Sequence, residues 1–251
     1  MTNNVAGAGP FALLPAIDLS GGRVVRLLRG DYAAMTTYGE DGEAVAQAFV
    51  ERGARWLHVV DLDGARDPGA RQTGLVAAII ARIGARARVE VAGGLRDAQA
   101  VTACLRAGAA RAVLGTAALR DPALAGRLVG QFGAGRIAVA LDVREGRAVG
   151  QGWVPGAEGV PVADALERLA DEGIRIFEVT AIDRDGTLGG PDLAMLGGLV
   201  RRERGELIAS AGIASAADIT AVRALGCAGA IVGRALYEGR VTLEDALAAA
   251  G

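Results

Sequence analysis

The chain has 251 residues, 51% of them hydrophobic and 4% aromatic, with a formal net charge of −2 and an isoelectric point near 5.6. That length suits one large domain or two small ones and can bury a sizeable core, while the charge balance excludes a basic nucleic-acid footprint. No apolar stretch is long enough to span a membrane, no basic-then-apolar leader opens the chain, and Cys104 and Cys227 share no metal-ligand spacing with the single histidine, His58. A cytoplasmic protein with both thiols reduced in the core is expected.

Residues 1–11 read as a flexible tail and 12–251 as one domain. Beyond the tail, short β-branched runs alternate with longer amphipathic ones. Candidate strands cover 13–18, 56–62, 89–93, 112–115, 137–143, 176–182, 207–211 and 229–232. They are almost continuously hydrophobic, the mark of parallel strands covered on both faces. Helical patterns lie between them, for example at 43–52, 98–107, 162–171 and 216–225. Asp121-Pro122 reads as an N-cap followed by proline at the first helical position. Ser215 with Asp218 and Thr242 with Asp245 read as capping boxes. Gly53, Gly108, Gly173 and Gly226 each close a helical run, where a left-handed cap needs glycine.

Eight strand–helix units of roughly 30 residues fit a (β/α)8 TIM barrel; a doubly wound open sheet is the competitor. An internal half-barrel repeat decides for the barrel, because two equal four-unit halves close without edges. Pro15-Ala-Ile-Asp18-Leu and Val139-Ala-Leu-Asp142-Val both end on aspartate before a glycine-containing basic loop, and Gly146 follows Gly22 at the same interval. Residues 56–63 match 176–183, and 94–115 match 212–233, with Thr102/Thr220 and Gly108/Gly226 shared.

In such barrels the reactive groups gather at the carboxyl ends of the strands. Asp18 and Asp142 then face each other across one mouth, where two carboxylates can hold different pKa values and act as base and acid. Gly94, Gly115 and Thr116 in the first half, and Gly212, Gly233 and Arg234 in the second, sit at glycine-rich helix starts. Unpaired backbone N–H groups there bind phosphate. Two such sites imply a small bis-phosphorylated substrate.

Pro15-Ala-Ile-Asp-Leu19, Val60-Asp-Leu-Asp-Gly64, Gly93-Gly94-Leu-Arg96, Gly115-Thr116-Ala, Gly152-Trp153 and Asp183-Arg-Asp-Gly-Thr187 together resemble the phosphoribosylformimino-aminoimidazole-carboxamide ribotide isomerases of histidine biosynthesis. The resemblance runs in order over residues 13–249. It implies a two-fold symmetric barrel, a substrate with a phosphoribosyl group at each end, and an Amadori rearrangement of aminoaldose to aminoketose without metal or organic cofactor. On the matching positions, Asp18 is the base at C2′ and Asp142 the acid at the ribose ring oxygen. Thr180 assists, Asp185 contacts substrate, and Trp153 stacks over the imidazole ring. The acid must stay protonated near neutral pH, so burial is expected to raise its pKa.

The segment Asp185-Gly-Thr-Leu-Gly189-Gly-Pro191 is similar to that of bifunctional phosphoribosyl isomerases, which also act on phosphoribosyl anthranilate. Gly189 joins the phosphate-binding set, and Arg26 corresponds to a substrate-binding arginine. Gln151 departs from that pattern: it stands where a carboxylate-gripping arginine is found, and glutamine cannot clamp a carboxylate bidentately. The histidine-pathway activity alone is favoured, with dual activity the alternative. Ala211 is a second departure, since the family usually has glycine there. The related cyclase is disfavoured because its first strand end carries a lysine loop absent here. A non-catalytic phosphosugar-binding barrel would keep the phosphate loops without both aspartates. His58 is expected to be a structural strand residue, and Asp61 and Asp63 to line the second loop. Nothing marks an interface, so a monomer is expected.

Overall fold

The structure, a computed structural model, describes residues 10–150, 153 and 158–251. Gln151, Gly152 and the first nine residues of the expected tail lie outside the described residues; Phe11, the tail's last residue, already packs against the core.

Eight parallel strands close on themselves. They are β1 (Ala12–Ser20), β2 (Trp56–Asp61), β3 (Arg88–Ala92), β4 (Arg111–Leu114), β5 (Ile137–Arg144), β6 (Ile176–Ala181), β7 (Glu206–Ser210) and β8 (Gly229–Val232). Each pairs with the next, and β1 with β8, so the sheet is a barrel. Around it lie α1 (Gly42–Glu51), α2 (Thr73–Ile83), α3 (Ala98–Arg106), α4 (Pro122–Phe132), α5 (Val162–Asp171), α6 (Leu193–Val200), α7 (Ala216–Ala224) and α8 (Leu243–Ala250). This is the (β/α)8 architecture expected, with boundaries within two residues of those read from the pattern.

The apolar runs bury both faces. Alternate residues such as Leu14, Ala16, Ala138, Ile208 and Ile231 fill the barrel interior. Their neighbours Leu13, Ile17, Leu57, Val139 and Phe177 pack outward against the helices. In α5 the buried set is Val162, Ala165, Leu166, Leu169 and Ala170, the three-and-four spacing of a one-sided helix. Helix starts follow the local chemistry. Asp121 caps α4 by accepting from the Leu124 N–H ahead of Pro122, and Ser215 with Asp218 forms a full capping box on α7. Thr242 accepts from the Asp245 N–H, but its hydroxyl also donates to the Asp245 carboxylate, so only half of that box forms.

Two hairpins rise from the barrel rim, which the strand pattern did not anticipate. After β1, the strand Arg23–Leu28 turns back so that Asp18 pairs with Val25 and Ser20 with Arg23. After β5, Arg147–Val149 repeats this register, Asp142 with Val149 and Arg144 with Arg147. Both turns need positive φ at two successive residues, 55° and 80° at Gly21-Gly22, and 50° and 73° at Glu145-Gly146, as tight hairpins do. The repeat is thus one of backbone geometry as well as sequence.

Candidate active site

Asp18 and Asp142 end β1 and β5, four strands apart around the closed sheet, and so face one mouth from opposite sides. Both line a cavity of about 900 Å³ with Arg26, Trp153, Thr180 and Asp185.

Their settings differ. Asp18 is buried, and its Oδ2 lies 2.9 Å from Nη1 of Arg26. Arg26 follows Val25 on the hairpin strand opposite Asp18, so the register delivers the cation to this carboxylate. The same guanidinium lies 3.8 Å from Asp185. Burial works against the Arg26 charge, but Asp18 and Asp185 outweigh it and hold the group above its usual value. Among the described residues, Asp142 has no such ion-pair partner. Withdrawal from water deep in the mouth pushes its carboxyl above the usual range, although hydrogen bonds from Trp153 and Thr180 and the nearby His58 act the other way. Thr180 is its register partner across β5 and β6. Burial also lifts Asp185 to about 6, against Arg26 and with help from the charges of Asp18 and Asp142.

The Trp153 ring packs on the turn that follows the strand Arg23–Leu28, where a Cβ on Gly30 would overlap it. Arg144 Nη2 donates to the Trp153 carbonyl at 3.5 Å.

The two phosphate loops are unequal in this structure. Gly94, Gly115 and Thr116 line the cavity. Thr116–Arg120 is a short helical turn with no side chain capping its start, and Arg234–Tyr237 after Gly233 repeats it. Gly212, Gly233 and Arg234 do not border the cavity among the described residues. The Arg26 guanidinium lies there instead, with Nη2 2.5 Å from where a Cβ on Gly233 would stand. Arg234 donates to the Gly186 carbonyl at 2.6 Å and pairs with Glu238. Gly189 is exposed on the outer loop, its N–H on the Thr187 hydroxyl at 3.3 Å. Ala211 occupies left-handed backbone, φ 75°, like its twin Gly93 at 94°.

Asp61 and Asp63 organise the second loop, as expected. Asp61 accepts from the N–H groups of Gly64 and Gln72, and Asp63 from the Ser20 hydroxyl and the Gly21 N–H. Below the mouth, the interior carries charges that sequence reading missed. His58 Nδ1 meets Glu90 Oε1 at 2.8 Å, and Arg111 Nη1 donates to Glu90 Oε2 at 2.8 Å. Burial and the adjoining Glu90 carboxylate push Glu178 well above the usual carboxyl range. Glu90, equally buried, is held below it by His58 and Arg111. One signal was present: Glu178 lies two residues before Thr180, hence on the same inward face of β6.

Residues 12–242 match the family model described as "Histidine biosynthesis protein". The chain belongs to that family. One relative, a 1-(5-phosphoribosyl)-5-((5-phosphoribosylamino)methylideneamino)imidazole-4-carboxamide isomerase of Roseiflexus castenholzii, is 46% identical over 94% of this chain and 98% of its own. Phosphoribosyl isomerase A of Mycobacterium tuberculosis is 43% identical over 96% of this chain and 98% of its own. An isomerase of the first name from Acidothermus cellulolyticus is 42% identical over 95% of this chain. Among the described residues, no helix is long and apolar enough to cross a membrane.

Proposed function

We propose that the protein is a cofactor-free aldose–ketose isomerase of histidine biosynthesis, acting in the cytoplasm. It converts N′-(5′-phosphoribosylformimino)-5-aminoimidazole-4-carboxamide ribonucleotide to its phosphoribulosyl isomer. The observation that carries this reading is the contrast between the two aspartates across one cavity. Asp142, raised by burial, gives its proton to the ribose ring oxygen, and the C1′–O bond breaks to leave a Schiff base. Asp18, paired with Arg26, removes the C2′ proton, and the electrons move to form the enolamine. The C2′ hydroxyl proton returns to Asp142, while Asp18 delivers its proton to C1′, giving the aminoketose. Protons balance within one turnover, and both carboxyl groups end as they began.

Thr180, hydrogen-bonded to Asp142, orients the acid, and Asp185 holds the sugar hydroxyls. Trp153 covers the imidazole. Gly94, Gly115 and Thr116 take one phosphate. Arg26, lying against Gly233, is placed to meet the other, with Gly189, Gly212 and Arg234 around it. The chain works as a monomer on this scheme, since every group named belongs to one barrel. Phosphoribosyl anthranilate is not favoured as a second substrate, because Gln151 supplies no cation for its carboxylate. Steady-state turnover with each substrate separately is the test. Activity on the histidine-pathway aminoaldose alone is expected; comparable activity on both would make the protein bifunctional, and activity on neither would refute the reading.

A further inference from the structure

We propose that His58, Glu90 and Glu178 form a binding site for one divalent transition-metal cation at the floor of the barrel mouth. An imidazole nitrogen from β2 and carboxylate oxygens from β3 and β6 lie within 4.8 Å of one another, and all three side chains are buried. His58 Nδ1 is 2.8 Å from Glu90 Oε1 and 3.8 Å from Glu178 Oε1. Donors held about 2.0–2.2 Å from a zinc-like cation stand roughly 3.3 Å apart, and the two observed separations bracket that value.

A second observation points to a missing ligand. Among the described residues, Glu178 Oε1 is buried with no hydrogen-bond partner, in a residue only 2% exposed. Buried polar atoms without partners are rare and costly, and a cation beside His58 supplies the absent partner. Arg111 already behaves as an outer-sphere group. It holds the other oxygen of Glu90 at 2.8 Å and stacks on Trp56 at 4.6 Å, fixing the carboxylate that would ligate. Access exists as well, because His58 and Glu178 line the cavity, so a cation enters from the mouth and keeps open coordination positions. One nitrogen with two oxygen donors selects zinc, cobalt, nickel or manganese over calcium and magnesium, which prefer oxygen alone.

The charged groups facing Glu178 are His58 on β2, Glu90 on β3, Arg111 on β4 and Asp142 on β5. The site stands apart from the isomerase reading and would survive its failure.

Cobalt(II) titration of the full-length chain, followed by visible absorption, tests it. His58 is the only histidine, so an imidazole-ligated cation reports on this place alone. One cobalt per chain is expected, saturating at micromolar concentration, displaced by zinc and removed by a chelator. Glu178→Gln, which keeps size but replaces a carboxylate ligand by a neutral amide, should weaken binding at least about tenfold. Absence of saturable binding, or unchanged binding in Glu178→Gln, overturns the proposal. Should that variant not fold, the wild-type imidazole proton resonances decide. One equivalent of cobalt must shift them, and unshifted resonances overturn the site equally.

Discussion

The two halves of this barrel start from one backbone plan and reach opposite local environments. Asp18 and Asp142 occupy equivalent strand ends with identical hairpin registers. The first-half hairpin, however, carries Arg26 back onto its aspartate at 2.9 Å. In the second-half hairpin, Gly150 stands where Arg26 stands in the first, and Asp142 is left to Trp153, Thr180 and a desolvating pocket. One substitution on a duplicated scaffold therefore separates a paired carboxylate from a raised carboxyl, which is the division between base and acid that the proposed reaction needs.

The comparison breaks first at turnover. Asp18→Asn and Asp142→Asn should each lower kcat by about 1,000-fold, the scale of losing one general acid or base, with far-ultraviolet circular dichroism unchanged. If either variant retained more than about a tenth of wild-type turnover, the two-aspartate scheme would be wrong.

Next come the first residues of the two phosphate loops, where mirror-image substitutions should have opposite signs. Gly93 sits with φ 94°, and an added Cβ would run into the Asp61 carbonyl. Gly93→Ala should cost about 3–5 kcal/mol through overpacking and strain. Its twin Ala211 already carries a methyl in left-handed backbone at φ 75°, so Ala211→Gly should stabilise by about 1 kcal/mol. The next residue in each loop has not diverged: a Cβ on Gly94 or Gly212 would collide with the carbonyl of Gly64 or Gly190. Urea unfolding of the first pair measures both effects.

A smaller, pH-dependent effect belongs to Asp185. Its carboxyl is lifted from 3.8 to about 6 in the folded chain. Between those values the folded state binds more protons than the unfolded one, so stability falls as pH rises through that window. Asp185→Asn removes the penalty. It should stabilise by about 3 kcal/mol near pH 8 and by only about 0.5 kcal/mol near pH 4. Equal gains at both pH values would place the Asp185 titration elsewhere.

Much of this was legible in the chain because barrel strands are short, apolar on both faces and repeated. Pairs such as Asp18/Asp142 and Gly94/Gly212 therefore announce themselves. The hairpins were not read as strands, although Gly21-Gly22 between β1 and the largely apolar Arg23–Leu28 is a hairpin signal, because that strand forms by pairing on the end of β1 outside the eight-unit alternation. For the same reason Arg26 could be read as a substrate contact but not as the partner of Asp18. His58 was placed correctly in its strand, yet its meeting with Glu90 depends on the register of β2 against β3, and that with Glu178 on barrel closure, which brings β6 opposite β2; neither leaves a trace in local spacing. The difference at Gly93 and Ala211 was visible as a residue change; its tolerance depends on which carbonyl the preceding loop presents.

Thermal unfolding of Asp18→Asn and Asp142→Asn, side by side at neutral pH, tests the divergence of the halves most directly. Asp18→Asn leaves Arg26 with only the 3.8 Å contact to Asp185 and should destabilise by about 2 kcal/mol. Asp142→Asn removes a desolvated carboxyl whose raised pKa weakens the fold as pH rises through it, and should raise Tm. Opposite signs support two equivalent aspartates in opposite environments; a shift of the same sign in both variants would contradict it.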